Sequence, residues 1–308
     1  MAYVYPNTFH GSGITPIADA TLSVTSAAVL YGLSVYTVLP VTVAPGGQAV
    51  AFRLGDHYRR LVNSARIIGI DTFEPVWSEA RFTDAIRDVV LANEVAEDVF
   101  VRVSVHVDER LPGTRSRGIS TLVSMFVYTA ESILPLDGAR LKTSVWRRIP
   151  DYAIPSRAKV NGAYVNSVLA KQDAIDSGYD DCVFLDAAGH VCELSAANIF
   201  IVRGGVLITP STASDLLEGI NRSTVLQIAE RLGLPSHERE VDLTELYIAD
   251  EVFACGTSTY IAPVIEVDAR VVNGGRAGPV TERISEKYHA VLRGQDADFE
   301  GLVTHLTG

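Results

Sequence analysis

The sequence predicts an α+β fold in which strands and helices fall into two segments. Short Val- and Ile-rich runs bounded by Gly, Pro and Asp indicate strands, and apolar residues at i, i+3, i+4 and i+7 indicate amphipathic helices. These elements do not alternate regularly as in a parallel strand–helix–strand sheet, which favours α+β. With 308 residues, 47% of them hydrophobic, the chain is long and apolar enough to form two domains.

In the first segment, a strand rich in Val and Tyr follows Ser26 and precedes a helix. We expect Asp56 to cap that helix, and Leu61, Ala65 and Ile68 then share its buried face. One more helix and two long strands complete the segment: Thr83–Asn93, Val99–Val107 and Thr121–Tyr128.

The second segment contains a helix, a strand pair with a turn at residues 186–189, a hairpin, a second helix, a buried strand and a final helix. The main predicted elements are Tyr164–Ser177, His190–Ser195, Ile199–Pro210, Arg222–Leu232, Glu251–Cys255 and Val280–Leu292. Residues 129–138 contain a proline and show no clear period. We expect them to link a small N-terminal domain, residues 1–128, to a large domain, residues 139–308.

The composition argues against several classes of function. The net charge of −11 disfavours nucleic acid as the main partner, because phosphate binding requires a basic surface. No apolar run is long enough to cross a membrane, and the N-terminus lacks the basic and apolar regions of a signal peptide. The three cysteines cannot all pair and show no metal-ligand spacing, so we expect no metal site and a cytoplasmic location.

Two charged residues are candidates for chemistry, Lys159 and Glu193. Glu193 lies in an apolar strand, where an ionised carboxylate is costly to bury unless a cation or several donors meet it, so we expect a cation to face it. Most lysines are solvated surface charges, but a buried lysine can form a Schiff base with a carbonyl. Pyridoxal phosphate chemistry requires such a lysine, a carboxylate at the pyridine nitrogen and a phosphate site.

Two glycine-containing stretches are candidates for the phosphate site. Residues 219–221, Gly-Ile-Asn, come directly before a helix, whose unpaired N–H groups and partial positive charge suit an anion. Residues 256–259, Gly-Thr-Ser-Thr, follow a strand and offer amides and hydroxyls. From these residues alone, Asn221 is better explained as a helix N-cap and the second stretch as an ordinary turn.

Four ordered runs resemble a known family: AKVNGAYVNSVLA, LDAAGHVCELSAANIF, LLEGINRSTVLQIAERLG and LYIADEVFACGTSTYIAPV. They resemble the fold-type IV (class IV) pyridoxal-phosphate enzymes, which include branched-chain aminotransferases, D-amino acid transaminases, R-selective amine transaminases and aminodeoxychorismate lyases. The resemblance extends over nearly the whole chain. It implies a small N-terminal α/β domain, a large C-terminal domain around a β-barrel-like sheet, and pyridoxal 5'-phosphate bound between the domains.

The resemblance also implies roles at the cofactor ring. Lys159 would form the Schiff base and move the substrate proton, and Glu193 would keep the pyridine nitrogen protonated. Tyr164 matches the tyrosine that hydrogen-bonds the ring hydroxyl, although by itself it reads equally well as a core aromatic at a helix start.

For the phosphate, the resemblance selects an arginine and two turns. The family motif H-x-x-R-L reads His-Tyr-Arg-Arg-Leu here and selects Arg60, with Arg59 as the alternative after a slip of one residue. Either arginine, taken alone, could be a solvated helix charge. The turns contribute Ile220, Asn221, Thr257 and Ser258.

The first domain departs from the pattern Y-G-x-S-x-F-E-G-x-R that is typical of branched-chain aminotransferases. The start is kept, but the Glu, Gly and Arg of the pattern are replaced by Thr37, Val38 and Pro40. We therefore expect an atypical substrate pocket. Arg102 would bind a substrate carboxylate, and the aromatic residues expected at the same pocket are Tyr31, Tyr36 and Tyr128.

Together these observations predict a ping-pong transaminase that uses an amine donor and a 2-oxo acid acceptor. The alternatives are a D-amino acid or R-selective amine transaminase, an aminodeoxychorismate lyase and a non-enzymatic relic; the intact lysine, glutamate and phosphate turns argue against the last. A homodimer is expected from the resemblance. His106 is interpreted as a hydrogen-bonded sheet residue and Asn198 as structural.

Overall fold

The computed structural model describes residues 3–44, 46–110 and 112–307. The chain divides into two compact units. The first unit comprises Met1–Glu131, Ala158–Ala163 and Val291–Gly308, and the second comprises Ser132–Arg157 and Tyr164–Ala290. The predicted domain limits stay a prediction, but this grouping differs from them in two places, because the segment around Lys159 and the end of the chain join the first unit.

The described residues form sixteen strands and seven α-helices. The strands are β1 (Val4–His10), β2 (Gly13–Pro16), β3 (Ser34–Val43), β4 (Ala49–Phe52), β5 (Val99–Val107), β6 (Thr121–Thr129), β7 (Ala139–Thr143), β8 (Asp181–Leu185), β9 (Val191–Leu194), β10 (Asn198–Arg203), β11 (Val206–Pro210), β12 (Ser236–Arg239), β13 (Glu251–Gly256), β14 (Tyr260–Val267), β15 (Arg270–Val271) and β16 (Val303–His305). The helices are α1 (Ala27–Tyr31), α2 (Leu54–Ile67), α3 (Glu79–Ala92), α4 (Tyr164–Asp176), α5 (Ile220–Arg231), α6 (Leu243–Tyr247) and α7 (Pro279–Leu292).

The first unit is built on a seven-stranded antiparallel sheet in the order β16-β4-β3-β5-β6-β1-β2. Side chains alternate between the two faces of each strand. On β5, Val101 and Val103 point into the hydrophobic core, where they join residues of α2 and α3. Arg102 therefore lies on the opposite face of the sheet, and this face positions the candidate site.

Helices α2 and α3 of this unit begin earlier than the sequence predicts. α2 begins at Leu54 after Arg53, which adopts a left-handed conformation with φ 49°; the prediction of Asp56 as N-cap was wrong. Asp56 lies in the first turn, where its carboxylate accepts from Nε of Arg53 at 2.5 Å. α3 begins at Glu79, because Ser78 caps it by accepting from the N–H of Arg81 at 3.2 Å.

The second unit contains a nine-stranded mixed sheet in the order β12-β11-β10-β13-β14-β7-β8-β9, with β15 paired to β14. Three neighbouring pairs are parallel, β11 with β12, β14 with β7, and β7 with β8. The sheet curls so that β9 also contacts β10. The predicted α+β class and the barrel-like sheet are confirmed.

Apolar side chains of α4 pack against the curled sheet. Ala170 and Ala174 of α4 pack against Cys182, Phe184 and Cys192. Burial raises the pKa of both of these thiols well above the ordinary value. They are therefore core residues without a reactive thiolate. No helix of the described residues is both long and apolar enough to cross a bilayer.

The end of the chain returns to the first unit. β16 pairs with β4, and the N–H of Arg53 donates to the carbonyl oxygen of Leu302 at 2.6 Å. Leu306, 3% exposed, belongs to the core of this unit. The last strand therefore covers an edge of the antiparallel sheet.

Candidate active site

Lys159 lies in a short segment that is hydrogen-bonded along β3. The N–H of Tyr36 donates to the carbonyl oxygen of Lys159 at 3.0 Å, and the N–H of Lys159 donates to Oγ of Ser64 on α2 at 3.1 Å. An isolated β-bridge also joins Val35 to Val160. The backbone of the lysine is therefore held on both sides.

Two glycines allow this segment to approach α1. Gly32 is the C-cap of α1 with φ 64°, and a Cβ built on it would lie 2.8 Å from Cα of Gly162. The N–H of Gly162 donates to the carbonyl oxygen of Gly32 at 3.2 Å. Because only glycine fits both the left-handed conformation and this contact, these two residues help to place the lysine segment.

The Lys159 amine, an aromatic ring and a guanidinium group lie together on one face of the seven-stranded sheet. Nζ of Lys159 is 4.9 Å from the centroid of the Tyr36 ring, and Cζ of Arg102 is 3.7 Å from the same centroid. Nη2 of Arg102 donates to Oδ1 of Asn161 at 3.3 Å. These contacts hold the guanidinium, and the positive charge suits an anionic group such as a carboxylate.

Of the remaining tyrosines proposed for the substrate pocket, Tyr128 lies on the same sheet face as Arg102. Its ring centroid is 5.6 Å from that of Phe100 and 5.7 Å from that of Phe126. Tyr31 lies at the end of α1 and is 45% exposed. Tyr31 therefore comes from a different element, and the substrate roles of these residues stay predictions.

Arg59 and Arg60 have different surroundings. The Arg59 side chain is 61% exposed and pairs with Asp56 at 2.6 Å and Glu79 at 4.0 Å. Arg60 is half-buried, and its Nη2 donates to Oγ1 of Thr37 on β3 at 3.2 Å. The geometry therefore favours Arg60 as the arginine of the site, with Arg59 as a surface charge.

His57 is a fully buried neighbour of Arg60. Its Nδ1 lies 2.7 Å from Oγ1 of Thr37. Burial, followed by the charges of Arg60, Arg53 and Lys159, lowers the pKa of His57 well below its ordinary value. The imidazole is therefore neutral, and its surroundings carry positive charge.

In the second unit, Glu193 on β9 is 5% exposed and meets the cation that the sequence predicts. Nη2 of Arg148 lies 2.9 Å from Oε1 of Glu193. Oε2 accepts from Nδ2 of Asn198 at 3.2 Å and from the N–H of Leu217 at 3.2 Å. An ion pair and two further donors stabilise the ionised carboxylate in this buried position.

Two of these partners, Arg148 and Asn198, are not predicted from the sequence as contacts of Glu193. Arg148 has no local feature that distinguishes it from Arg147; the signal was the need of Glu193 for a cation. The sequence assigns Asn198 only a structural role, but its amide also donates to the Glu193 carboxylate and to the carbonyl oxygen of Leu217 at 3.0 Å. The asparagine therefore helps to orient the carboxylate.

The start of α5 forms the first candidate phosphate site. Its N-cap is Gly219, so Asn221 is the second helical residue, and the N-cap interpretation of Asn221 was wrong. A Cβ on Gly219 would lie 2.0 Å from Oδ1 of Asn198. A side chain at this position would therefore collide with the amide that orients Glu193. Ile220, the first helical residue, is also buried.

The turn after β13 forms the second candidate phosphate site. The carbonyl oxygen of Ser258 accepts from the N–H of Ile133 at 2.8 Å, and Thr257 precedes it in the turn. Thr259 is fully buried, and its hydroxyl has no hydrogen-bond partner among the described residues. Tyr260 follows with φ 54°, a strained conformation that persists only where the surrounding structure holds it.

Comparison with known proteins identifies the family. Residues 34–267 match the family described as amino-transferase class IV. The chain belongs to this family. The branched-chain-amino-acid aminotransferase of Pseudomonas aeruginosa is 36% identical over 282 residues, which cover 90% of this class IV aminotransferase and 90% of that protein.

Two solved structures are similar over nearly their whole length. The branched-chain aminotransferase of Thermoproteus uzoniensis with norvaline is 34% identical with a TM-score of 0.94, covering 98% of this chain and 100% of that one. The branched-chain amino acid aminotransferase of Thermobaculum terrenum in its PLP-form is 31% identical with a TM-score of 0.91, covering 99% of each chain. The predictions of a fold-type IV enzyme, an aminotransferase and a pyridoxal-phosphate cofactor are confirmed.

The residues of this class IV aminotransferase fit its cofactor. Asn221 is 3% exposed, and neither Oδ1 nor Nδ2 has a hydrogen-bond partner among the described residues. A buried polar group without a partner costs about 1–3 kcal/mol. A phosphate at the start of α5 would accept from Nδ2, and the helix N-terminus would stabilise its charge.

Two other sequence predictions concern Tyr164 and His106. Tyr164 is the first residue of α4 and is half-buried. His106 is hydrogen-bonded on both sides, with Nδ1 3.0 Å from Oγ of Ser34 and Nε2 2.9 Å from Oγ of Ser124, and burial lowers its pKa to about 4. The interpretation of His106 as a sheet residue therefore agrees with the structure. The described residues hold no cluster of three or more His, Cys, Asp or Glu that suits a metal ion.

Proposed function

We propose that this class IV aminotransferase transfers an amino group between an aliphatic α-amino acid and a 2-oxo acid in two half-reactions. Similar proteins of nearly the same length are named branched-chain aminotransferases, and one was solved with norvaline. Donor and acceptor would occupy the same pocket in turn, as a ping-pong reaction requires.

The observation that carries this proposal is the position of Arg102. Its guanidinium lies on the same sheet face as the Lys159 amine, with the Tyr36 ring in contact with both groups. A guanidinium offers two parallel N–H donors to a carboxylate. This arrangement favours an amino acid over an R-amine, because an amine without a carboxylate gains nothing from the arginine.

The other side chains on this face support an aliphatic substrate. In the β3–β5–β6 register, Val38 pairs with Arg102, and Phe126 pairs with it from the other side. Val38 is 8% exposed and stands where the branched-chain pattern has glycine, so the pocket would be narrowed near the arginine. We propose that Arg102 and Tyr36 bind the substrate and that Tyr128 and Tyr31 contribute to the pocket wall.

Pyridoxal phosphate, when bound, supplies an electron sink that stabilises negative charge at the α-carbon of the substrate. Lys159 would hold the cofactor and then act as the base that moves the α-proton. Glu193, kept ionised by Arg148, would hold a proton on the pyridine nitrogen. Tyr164 would donate a hydrogen bond to the ring oxygen.

An arginine, a helix start and a turn would together bind the cofactor phosphate. Arg60 would supply a charge-assisted hydrogen bond, and the start of α5 would supply N–H donors. The other proposed phosphate-binding residues are Ile220, Asn221, Thr257 and Ser258.

We further propose a homodimer in the cytoplasm. The dimer is supported by an apolar stripe on α4, in which Val165 is 65% and Val168 64% exposed. Cytoplasmic location is supported by the three cysteines, all of them buried free thiols, as expected in a reducing compartment.

The proposal is tested by adding a panel of amines to the purified holoenzyme and recording the visible absorbance of the lysine-bound cofactor. L-Leucine should discharge the band and release its 2-oxo acid, whereas R-1-phenylethylamine, which has no carboxylate for Arg102, should leave it. Discharge by the R-amine alone would overturn the substrate proposal, and comparison of L-leucine with D-alanine determines the stereochemical preference. Release of pyruvate from aminodeoxychorismate, with no discharge by any amine, would make the protein a lyase.

Arg102→Met tests the carboxylate contact. We expect KM for L-leucine to rise about 10- to 100-fold, because a charge-assisted hydrogen bond is lost, while the cofactor band stays unchanged. Arg110→Met is the matched control, since the Arg110 side chain is 71% exposed and pairs only weakly with Asp108 at 3.5 Å. Equal KM values for both variants would show that Arg102 does not bind the carboxylate.

A further inference from the structure

We propose that the Thr37 hydroxyl, held by His57, is a positioning group that orients the Arg60 guanidinium toward the cofactor phosphate. This inference rests on the proposed role of Arg60 in phosphate binding. It assigns a role to Thr37, which stands where the branched-chain pattern has a glutamate.

The three side chains form a hydrogen-bonded chain inside the first unit. Nη2 of Arg60 donates to Oγ1 of Thr37 at 3.2 Å, and the same oxygen lies 2.7 Å from Nδ1 of His57. Thr37 and His57 are both fully buried. A threonine hydroxyl carries one proton and two lone pairs, so Oγ1 can accept from Arg60 and pair with Nδ1 of His57 at the same time.

A neutral His57 is compatible with both hydrogen bonds of the Thr37 oxygen. Burial and the nearby charges of Arg60, Arg53 and Lys159 lower the pKa of the imidazole and keep it unprotonated. A neutral imidazole has one nitrogen that accepts and one that donates, and Nδ1 can pair with the Thr37 hydroxyl in either tautomer. A neutral His57 places no second positive charge beside the Arg60 guanidinium.

The same face of α2 links Arg60 to the lysine segment. His57, Arg60 and Ser64 are spaced by three and four residues and therefore lie on one side of the helix. Oγ of Ser64 donates to the carbonyl oxygen of Arg60 at 2.8 Å and accepts from the N–H of Lys159 at 3.1 Å. The arginine is thus fixed at its backbone through Ser64 and at its guanidinium through Thr37.

The residue type at position 37 affects how much positive charge Arg60 can offer. A glutamate there would pair with the guanidinium and compensate its charge. The Thr37 hydroxyl instead orients the guanidinium through a neutral contact. The hydrogen bond from Arg60 to Thr37 therefore orients the guanidinium without a negative charge at position 37. A negative charge there would oppose binding of a phosphate dianion.

Thr37→Val is the main test, because valine keeps the volume and branching and removes the hydroxyl. Apo-protein is titrated with pyridoxal 5'-phosphate and, separately, with pyridoxal, and binding is followed by the absorbance of the lysine-bound ring. The matched control is Thr42→Val on the same strand, since Thr42 is 3% exposed and its hydroxyl has no partner among the described residues. Thr37→Ser restores the hydroxyl.

We expect Thr37→Val to weaken binding of pyridoxal 5'-phosphate about tenfold, as loss of one hydrogen bond to a charged group predicts. Pyridoxal binding should be unchanged, Thr37→Ser should bind the phosphate form within about twofold of wild type, and Thr42→Val should match wild type. Inorganic phosphate should compete with the cofactor less effectively in Thr37→Val than in wild type.

Wild-type affinity for both ligands in Thr37→Val would overturn the inference, as would equal weakening of pyridoxal and its phosphate. If Thr37→Val does not fold, Thr37→Ala is titrated in the same way with the same criteria. Failure of wild-type protein to bind pyridoxal 5'-phosphate through Lys159 would instead overturn the proposed function, so the two failures are distinguishable.

Discussion

At the scale of single residues, Glu193 and Arg148 form a buried ion pair in the second unit. The side chains are 7% and 14% exposed, so water contributes little to either charge. Removing one partner of a buried pair leaves an uncompensated charge. The pair is therefore more sensitive to substitution than ion pairs on the surface of the same unit.

We predict that Arg148→Met lowers the free energy of unfolding of the apo-protein by about 3 kcal/mol, because Glu193 loses its cation. Urea unfolding followed by circular dichroism measures the change. Arg157→Met is the control: Arg157 is 42% exposed, pairs with Asp151 and Glu218 at the surface, and should cost less than about 1 kcal/mol. Adding Glu193→Gln to Arg148→Met should recover part of the loss. Equal effects of the two arginine substitutions would contradict this account.

At the scale of elements, the sequence predicted strands better than helix starts. β5 was predicted with its observed bounds, because the alternation of valines with polar residues is a local pattern. The start of α2 was not, because it depends on a left-handed Arg53 rather than on a capping side chain. α5 likewise begins at Ile220 after the N-cap Gly219, where the usual signal of a polar N-cap side chain is absent.

The candidate site was predictable to a similar extent. Lys159 and Glu193 could be proposed because their chemistry and sequence surroundings are unusual for charged residues. Arg148, Thr37 and His57 could not, since their contacts join residues far apart in the chain and leave no local pattern. The roles of these three residues depend on hydrogen bonds and an ion pair between elements that are distant in the sequence.

The close contact between Gly32 and Gly162 helps to place the segment that carries Lys159. We predict that Gly32→Ala destabilises the protein by about 2 kcal/mol more than Gly11→Ala, since a methyl group at Gly32 would overlap the backbone of Gly162. Gly11 is a matched control because its φ of 66° resembles the 64° of Gly32 and nothing lies within 4 Å of its added Cβ. Urea midpoints measure the difference.

Gly32→Ala should also reduce the fraction of protein that binds pyridoxal phosphate through Lys159, because the displaced residues 158–163 carry the lysine. The absorbance of the bound cofactor reports this fraction. Gly11→Ala should leave it unchanged. Full cofactor binding in Gly32→Ala would show that the close approach of the two glycines does not position the lysine.

At the scale of the whole molecule, both compact units are assembled from distant parts of the chain. The first unit takes in residues 158–163 and the C-terminal strand β16, which pairs with β4. The sequence indicates domain boundaries at linkers. It does not indicate that a late segment joins an earlier sheet, because the pairing of β16 with β4 across about 250 residues leaves no local pattern. The lysine segment, residues 158–163, also belongs to the first unit, although residues of the second unit precede and follow it in the sequence.

The exposed face of α4 allows a prediction about assembly. Val165, Val168 and Ile175 are 65%, 64% and 47% exposed and recur at spacings that place them on one side of the helix. The opposite side, with Ala170 and Ala174, is already packed against the sheet. An apolar stripe of this kind on a helix that is already anchored is typical of an interface with a second protein surface.

We predict that Val168→Glu shifts the protein from dimer toward monomer, because an ionised carboxylate would be buried without a partner on both sides of a two-fold interface. Sedimentation velocity over a range of concentrations measures the shift. Ile248→Glu is the control, since Ile248 has the same 64% exposure in the same unit but does not lie on α4. Both variants should keep the wild-type circular dichroism spectrum. A Val168→Glu variant that remains dimeric would exclude α4 from the interface, and a monomeric wild type would overturn the homodimer itself.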